Sequence, residues 1–296
     1  MTILLLGAAG QVGSEVNALA QEKGISIVGL SRGELDITDS SAVKQAFADH
    51  SPSIVINASA YTAVDKAESE PALAFAVNRD GPAAIAQTCS DLAIPLLHIS
   101  TDYIFDGSKQ GAYREDDTAN PLGVYGQSKW EGEEAIRRSL ANHIILRVSW
   151  VFGANGNNFV KTIIRLARER DELRIVADQH GCPTAAMDIA AVLLTLSEQY
   201  RQTGHLTWGT YHYTGTPETT WHGFAEQIVA IASEHTPLQV ERIIPITTQE
   251  YPTPAPRPQN SVLDCSKIKA EFGLEPVPWQ GNVEAIVPGI VSGYVR

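Results

Sequence analysis

The chain has 296 residues, of which 44% are hydrophobic and 19% are charged, a length that suits two domains or one large α/β domain with a smaller lobe. Its formal net charge of −12 disfavours nucleic acid as a partner, because nucleic acids bind basic surfaces. No apolar run approaches the roughly 18 residues of a membrane span, and three scattered cysteines without a C-x-x-C pair favour a reducing, cytoplasmic location over a disulfide framework or a zinc site.

Short apolar runs alternate with helical patterns through the first half of the chain. Strands are predicted over residues 2–6, 26–30, 54–57, 95–100 and 143–148. Helices are predicted over residues 11–22, 40–49, 71–91 and 125–140, with a break near Asn78 in the third of them. The strands are apolar on both faces, which is typical of a parallel sheet covered by helices, and βα units connect with right-handed crossovers. The pattern therefore predicts an α/β fold with a Rossmann-type, doubly wound parallel sheet.

The second half of the chain, after Trp150, has a different character. Helical stretches over residues 158–170, 187–202 and 220–233 are separated by loops rich in Gly, Pro, Thr and Trp. Residues 251–259 hold four prolines, which predicts an extended, stiff segment. We expect residues 151–296 to form mainly a smaller lobe that closes over residues 1–150, with a chain that is free to cross between the lobes more than once.

Three glycines follow the first predicted strand in the run Gly7-Ala-Ala-Gly10-Gln-Val-Gly13. Glycine permits the tight turn and lets backbone N–H groups approach a pyrophosphate, while the N-terminus of the following helix faces the anion. The third glycine allows the helix to pack closely on the strand. A plain strand-to-helix turn can also contain glycine, but the preceding strand and the following βαβ unit favour a dinucleotide site.

The end of the second predicted strand bears on which dinucleotide binds. The run Leu30-Ser31-Arg32 lacks the acidic residue that usually contacts the ribose 2′-hydroxyl of NAD. Arg32 is placed to meet a 2′-phosphate, although a solvated surface cation explains it equally well. Asp36 comes later, towards the adenine. NADPH and NADH therefore both remain open as cofactors.

A tyrosine and a lysine lie four residues apart at the start of a predicted helix, in the run Tyr125-Gly-Gln-Ser-Lys129. This spacing puts both side chains on one helix face. A nearby ammonium lowers the pKa of a phenol, so such a pair can exchange a proton with a carbonyl oxygen as hydride arrives at its carbon. The pair alone is common on helix surfaces, but Thr101 ends a predicted strand earlier in the chain. Since strand ends of a parallel sheet face the ligand crevice, we predict a catalytic set of Thr101, Tyr125 and Lys129.

These motifs and several longer segments resemble the extended short-chain dehydrogenase/reductase family, and within it the enzymes that reduce dTDP-linked 4-keto sugars. The matching segments cover nearly the whole chain: residues 7–13, 55–58, 61–71, 100–107, 120–122, 124–126, 147–152, 156–159 and 251–258. The resemblance implies NAD(P)H-dependent reduction of the 4-keto group of dTDP-4-dehydro-β-L-rhamnose to dTDP-L-rhamnose. It also implies an NAD(P)-binding domain over residues 1–150 and a mainly substrate-binding lobe over residues 151–296.

The resemblance assigns roles to individual residues. Carried over by position, one group contacts the cofactor together with the three glycines, Tyr125 and Lys129: Gln11, Val12, Asp36, Ile37, Ala60, Tyr61 and Thr62. A second group lines the sugar site: Thr101, Asp102 and Trp150. The resemblance allows a homodimer with a structural Mg²⁺ at its interface, for which Glu15 is one candidate ligand. No catalytic metal is predicted, since the eight histidines form no metal-binding motif.

Four further cations and one aromatic residue are judged from their local sequence. Arg257 lies among prolines that fix its backbone, which suits a positioned contact with the substrate. For Lys66, Lys161 and Arg165, a contact with the diphosphate and a solvated surface charge explain the sequence equally well. Trp221 could stack on a sugar or base, but a position in the core or an interface is favoured.

Related proteins of this fold provide the alternatives. Nucleotide-sugar dehydratases place Asp-Glu directly after the serine or threonine, whereas this chain has Thr101-Asp102-Tyr103 and lacks the second carboxylate. A nucleotide-sugar epimerase is excluded by no single residue, although the segments of the reductase subfamily argue against it. A non-catalytic NADP-binding regulatory subunit also remains open, although the complete catalytic set argues against it.

Overall fold

The computed structural model describes residues 2–293, which form twelve strands and eleven α-helices. The strands are β1 (Ile3–Leu6), β2 (Ile27–Leu30), β3 (Ile54–Asn57), β4 (Leu96–Thr101), β5 (His143–Val148), β6 (Val151–Phe152), β7 (Glu172–Val176), β8 (His180–Gly181), β9 (Thr184–Ala185), β10 (Gly209–His212), β11 (Thr219–Thr220) and β12 (Arg242–Ile246). The helices are α1 (Gln11–Glu22), α2 (Ser40–His50), α3 (Val64–Ala67), α4 (Pro71–Phe75), α5 (Gly81–Asp91), α6 (Val124–Ser139), α7 (Phe159–Glu169), α8 (Ala186–Thr203), α9 (Trp221–Ser233), α10 (Ser266–Phe272) and α11 (Trp279–Gly293).

Six strands form a parallel central sheet in the order β2-β1-β3-β4-β5-β10. Successive side chains of a strand point to opposite faces, so Ile3 and Leu5 pack with α1 and α8 while Leu4 and Leu6 pack with α2 and α5. Helices thus cover both faces, which confirms the predicted doubly wound α/β fold. The strand order reverses between β1 and β3, and such a reversal opens a ligand crevice at the carboxyl ends of the strands.

A second hydrophobic cluster lies beyond the sheet and draws only on residues from position 152 onward, chiefly from α7, α9 and α11. The chain does not stay in this lobe, because α8 packs against α1 and β10 pairs with β5 in the central sheet. Residues 186–212 therefore return to the first lobe. The domain boundary at residue 150 stays a prediction. Within residues 2–293, no helix has the length and apolar character of a membrane span.

The predicted break in the helical segment over 71–91 is a π-helical turn, Ala76–Asp80, between α4 and α5. Its buried Asn78 side chain accepts a hydrogen bond from Tyr61 N at 2.8 Å and donates to Ser128 Oγ at 3.0 Å. At Gly132 of α6, a Cβ would come within 2.0 Å of the Asn78 carbonyl oxygen. The wide turn thus brings its backbone against α6 and ties the chain before α3 to that helix.

Candidate active site

Two adjoining cavities of about 700 and 350 Å³ lie at the carboxyl ends of the central strands. They share the glycine loop and the chain that follows β3, so together they form one elongated cleft. The residues common to both are Ala9, Gly10, Ala58, Ser59, Ala60 and Thr62. A cleft of this shape can hold an extended dinucleotide with a second ligand at one end.

The glycine loop is shaped by close backbone contacts. Gly7 has a φ of +81°, and a Cβ there would lie 2.6 Å from Ser59 N. A Cβ on Gly13 would lie 2.2 Å from the Gly7 carbonyl oxygen. Gly10 precedes the first residue of α1, and no side chain caps this helix. Its free N–H groups begin beside the cleft, where they fit a pyrophosphate.

The smaller cavity lies at the end of β2 and has the lining expected for the adenosine half of a dinucleotide. Arg32, Asp36, Ile37 and Tyr61 all line it. The Asp36 carboxylate accepts hydrogen bonds from Thr38 N and Oγ1 at 3.0 and 2.8 Å, and these bonds lower its pKa. The candidate adenosine-side residues are therefore gathered around one cavity.

An acidic residue that the sequence analysis did not identify folds back onto the end of β2. The Glu34 carboxylate accepts hydrogen bonds from Ser31 N at 2.8 Å and from Ser31 Oγ at 2.7 Å. Ser31 and Glu34 lie three residues apart in the sequence, but only the turn geometry shows that the Glu34 carboxylate reaches Ser31. Glu34 thus occupies two donors close to Arg32.

The catalytic set lines the larger cavity. Tyr125 and Lys129 come from consecutive turns of α6, and Thr101 ends β4. The Thr101 hydroxyl donates to Asp102 Oδ1 at 3.0 Å and also faces the Tyr125 phenol. The Tyr103 ring packs edge-on against Tyr125 at 5.5 Å between centroids. The three predicted residues are thus brought to one wall of the cleft, with the tyrosine ring held by a second tyrosine.

The protonation states differ from those expected for an isolated Tyr-x-x-x-Lys pair. Burial, with a smaller contribution from Asp102, raises the pKa of Tyr125 to about 12. Lys129 Nζ donates to the Ile99 carbonyl at 2.7 Å, and burial lowers its pKa to about 8. The expectation that Lys129 lowers the pKa of Tyr125 is not met in this arrangement, because burial raises that pKa and the lowering influence comes from the Thr101 hydroxyl instead of Lys129. Tyr125 therefore stays protonated at neutral pH, the state needed to donate a proton.

Asp102 is the other ionisable group in this part of the cleft. Its side chain is buried, and burial raises its pKa to about 6, although hydrogen bonds from Ser261 and Thr101 act in the opposite direction. The carboxylate lies next to Thr101 and lines the same cavity. It is placed to accept a hydrogen bond from a sugar hydroxyl.

Two tryptophans form part of the lining of the larger cavity. The rings of Trp150 and Trp221 stack at 3.6 Å between centroids with 10° between their planes, and both line the larger cavity. Trp221 also packs against Phe159 at 4.6 Å. Trp221 packs against the core of the second lobe, as its sequence favoured, and its stacking on Trp150 also brings it to the lining of the larger cavity. A pair of flat apolar rings suits the face of a sugar or base.

The remaining predicted cations lie outside the two cavities, as far as residues 2–293 show. Arg257 Nη2 pairs with Asp65 Oδ1 at 2.8 Å, and the Arg257 guanidinium lies 6.0 Å from the Tyr103 ring centroid. Arg257 lines neither cavity, and its contact with the substrate stays a prediction. Lys66 and Arg165 pair on the surface with Glu70 and Glu169, at 3.7 and 2.8 Å. Lys161 also lines neither cavity.

Glu68, which is not among the predicted site residues, caps the N-terminus of α6, the helix that carries Tyr125 and Lys129. Glu68 Oε1 accepts a hydrogen bond from Val124 N at 2.8 Å, at the first residue of α6. A carboxylate at a helix N-terminus is also stabilised by the positive end of the helix dipole. Glu68 and Val124 are 56 positions apart, so the local sequence around Tyr125 could not predict their hydrogen bond.

Glu15, the candidate magnesium ligand, has no cluster of other metal-binding side chains around it among the described residues. Glu15 Oε1 accepts a hydrogen bond from Asn155 Nδ2 at 3.2 Å. Among the residues that the structure describes, no three His, Cys, Asp or Glu side chains cluster as a metal site. The geometry therefore gives no support to a bound Mg²⁺.

Comparisons with known proteins show which family the chain belongs to. The family model described as the RmlD substrate binding domain matches residues 1–291. The dTDP-4-dehydrorhamnose reductases of Sinorhizobium fredii and Escherichia coli are 42% and 37% identical to the chain, each alignment covering 97% of both proteins.

Solved structures give the same result. A dTDP-4-dehydrorhamnose reductase from Clostridium acetobutylicum matches with a TM-score of 0.90 and 35% identity over 97% of this chain and 98% of its own. The enzyme of that name from Bacillus anthracis, in complex with NADP, matches with a TM-score of 0.89 and 33% identity over 96% and 98%. The predicted resemblance is confirmed: the chain belongs to the RmlD family, the family of the dTDP-4-dehydrorhamnose reductases.

Proposed function

We propose that this protein uses NAD(P)H to reduce the 4-keto group of dTDP-4-dehydro-β-L-rhamnose, giving dTDP-L-rhamnose. The observation that carries the proposal is the convergence of Thr101, Tyr125 and Lys129 on a cavity that continues into the glycine-loop cavity. Proteins named dTDP-4-dehydrorhamnose reductase align with the chain over nearly their full length, which supports the proposal. A nucleotide sugar and a nicotinamide cofactor are thus the ligand classes that the cleft serves.

The residues of the cleft fit a nicotinamide dinucleotide. Backbone N–H groups at Gln11 and Val12, the first residues of α1, would hold its diphosphate, and Asp36 and Ile37 would border its adenosine. When bound, the cofactor supplies the hydride. Arg32 suits a 2′-phosphate and favours NADPH, although Glu34 beside it adds a negative charge, so the preference between NADPH and NADH is left to measurement.

Proton transfer is assigned to Tyr125. Its phenol is protonated at neutral pH and faces the cavity, so it can donate to the carbonyl oxygen that becomes the 4-hydroxyl. The Thr101 hydroxyl, which has a single proton, would turn from Asp102 Oδ1 to donate a second hydrogen bond to that oxygen. Lys129, held by the Ile99 carbonyl, would donate to the cofactor ribose and stabilise the phenolate left after transfer.

The sugar would lie between the catalytic set and the tryptophans. Trp150 and Trp221 offer an apolar surface for a ring face, and Asp102 offers an acceptor for a hydroxyl. A homodimer and a cytoplasmic location stay predictions, and so does a contact between Arg257 and the substrate.

Absorbance of the reduced cofactor provides the test. Purified protein should oxidise NADPH or NADH only when dTDP-4-dehydro-β-L-rhamnose is present. Absence of turnover with both cofactors would contradict the proposal and favour a regulatory subunit. Bound NAD⁺ that does not exchange during purification would instead favour an epimerase.

A further inference from the structure

A line of buried polar side chains runs from the cofactor loop to Lys129. Asn57 ends β3, His98 lies beside it in β4, and Lys129 of α6 reaches the far side of the His98 ring. Asn57 Nδ2 is 3.1 Å from His98 Nδ1, and Lys129 Nζ is 3.5 Å from His98 Nε2. Asn57 and His98 are fully buried, and Lys129 is 2% exposed. None of the contacts described so far explains why a histidine stands at this place in the sheet.

The direction of the hydrogen bonds follows from a backbone group that can only donate. Ser59 N donates to Asn57 Oδ1 at 3.1 Å, and Ser59 Oγ bonds the same oxygen. The amide oxygen therefore faces Ser59, and the amide NH₂ faces His98 Nδ1. Nδ1 must then accept, so it carries no proton. Burial and the neighbouring Lys129 keep the pKa of His98 well below its ordinary value, and a neutral ring whose Nδ1 accepts is protonated at Nε2.

We propose that His98, locked by Asn57 in the Nε2–H tautomer, is a positioning residue for Lys129. The inference rests on the proposed role of Lys129. The imidazole presents a donor to the ammonium, so Lys129 Nζ finds no acceptor on that side. Its protons are left for the Ile99 carbonyl at 2.7 Å and for groups in the cleft.

The other nearby acceptor is also engaged. Glu133 lies one turn beyond Lys129 on α6, but its carboxylate pairs with Arg147, with Nη2–Oε2 at 2.8 Å and Nε–Oε1 at 3.0 Å. Arg137 bonds the same carboxylate at 2.6 Å. His98 offers Lys129 only a donor, and the Glu133 carboxylate is already paired with two arginines. The Lys129 ammonium is therefore directed to the cofactor ribose and to Tyr125.

The first experiment measures the tautomer itself. Nitrogen NMR of the ¹⁵N-histidine-labelled protein shows which ring nitrogen carries the proton, and loss of one signal set in His98→Gln assigns the resonances. The proposal requires a neutral His98 protonated at Nε2. Protonation at Nδ1, or a charged ring at neutral pH, would overturn it whatever the activity.

The second experiment reverses the tautomer by an isosteric change. In Asn57→Asp a carboxylate oxygen still accepts from Ser59, but the other oxygen now accepts from His98 and forces the proton to Nδ1, as in Asp–His pairs of proteases. Nε2 then becomes an acceptor that competes for the Lys129 ammonium. We expect kcat to fall about tenfold to a hundredfold, the cost of misplacing one catalytic group, with a higher KM for the cofactor.

Controls separate this effect from charge and from misfolding. Asn142→Asp adds the same charge at an exposed position before β5 and should keep wild-type kinetics. The far-UV spectrum and Tm of Asn57→Asp show whether the fold is retained, and the wild-type NMR result stands even if it is not. A folded Asn57→Asp protein with the proton on Nδ1 but unchanged kinetics, alongside an impaired Lys129→Met, would refute the positioning role. An unimpaired Lys129→Met would refute the proposed role of Lys129 instead.

Discussion

The pH dependence of the reaction is predicted by the environment of Lys129. Burial lowers the pKa of this lysine to about 8, so the ammonium is lost as the pH rises through 8. The Tyr125 phenol, with a pKa raised to about 12, stays protonated over the same range. The basic limb of the kcat/KM profile should therefore report Lys129 and not the tyrosine.

The size of the effect follows from the titration of one group. With a pKa of about 8, the charged fraction of Lys129 falls from about nine-tenths at pH 7 to about one-tenth at pH 9. We expect kcat/KM for the cofactor to fall about tenfold over this interval, since this parameter reports the free enzyme.

The assay is the initial rate of cofactor oxidation in buffers of constant ionic strength. The cofactor is kept well below its KM and the keto sugar is held at a fixed concentration. Lys129→Arg is the matched variant, because a guanidinium keeps its charge throughout. Its profile should lack the limb near pH 8, whatever its absolute rate. A wild-type profile that stays flat to pH 10, or the same limb in Lys129→Arg, would refute the reasoning.

Three further predictions follow from single contacts. Tyr125→Phe should lower kcat about 10²- to 10⁴-fold, the usual contribution of a general acid, while cofactor affinity measured by fluorescence titration stays close to wild type; an undiminished rate would remove Tyr125 from the mechanism. Gly13→Ala should abolish cofactor binding, because its Cβ would lie 2.2 Å from the Gly7 carbonyl oxygen, whereas Gly281→Ala, in open space on α11, should bind normally. Glu68→Ala should lower the free energy of unfolding by about 1 kcal/mol, the usual effect of losing a helix cap, and a denaturant midpoint equal to that of wild type would show that the contact with Val124 contributes nothing.

The features that sequence could predict are those encoded by local pattern. The apolar runs predicted β1 to β5 within one residue at each end but missed β10, the sixth strand of the central sheet, and the spacing of the three glycines marked the turn after β1. Tyr125 and Lys129 could be found because four residues make one helical turn, and Thr101 because strand ends meet at one edge of a parallel sheet.

The features that it missed depend on contacts between distant parts of the chain. Asn57 and His98 are 41 positions apart, and their pairing requires the register between β3 and β4. Trp221 reaches the cleft only because α9 begins against Trp150. The pKa of Tyr125 could not be inferred from its spacing to Lys129, since burial sets it and burial depends on the whole fold. The ion pair between Arg257 and Asp65 joins residues 192 positions apart, so only the fold could show it.

The central claim is that hydride from the nicotinamide reaches C4 of a dTDP-linked keto sugar at this cleft. Its most direct test is to supply NADPH carrying deuterium at C4 of the nicotinamide, in separate preparations labelled on each face. Proton NMR then shows where the label lies in the sugar product. Our account predicts that one of the two preparations yields dTDP-L-rhamnose deuterated at C4 of the sugar. A product without deuterium from both preparations, or with deuterium at any other carbon, would contradict it.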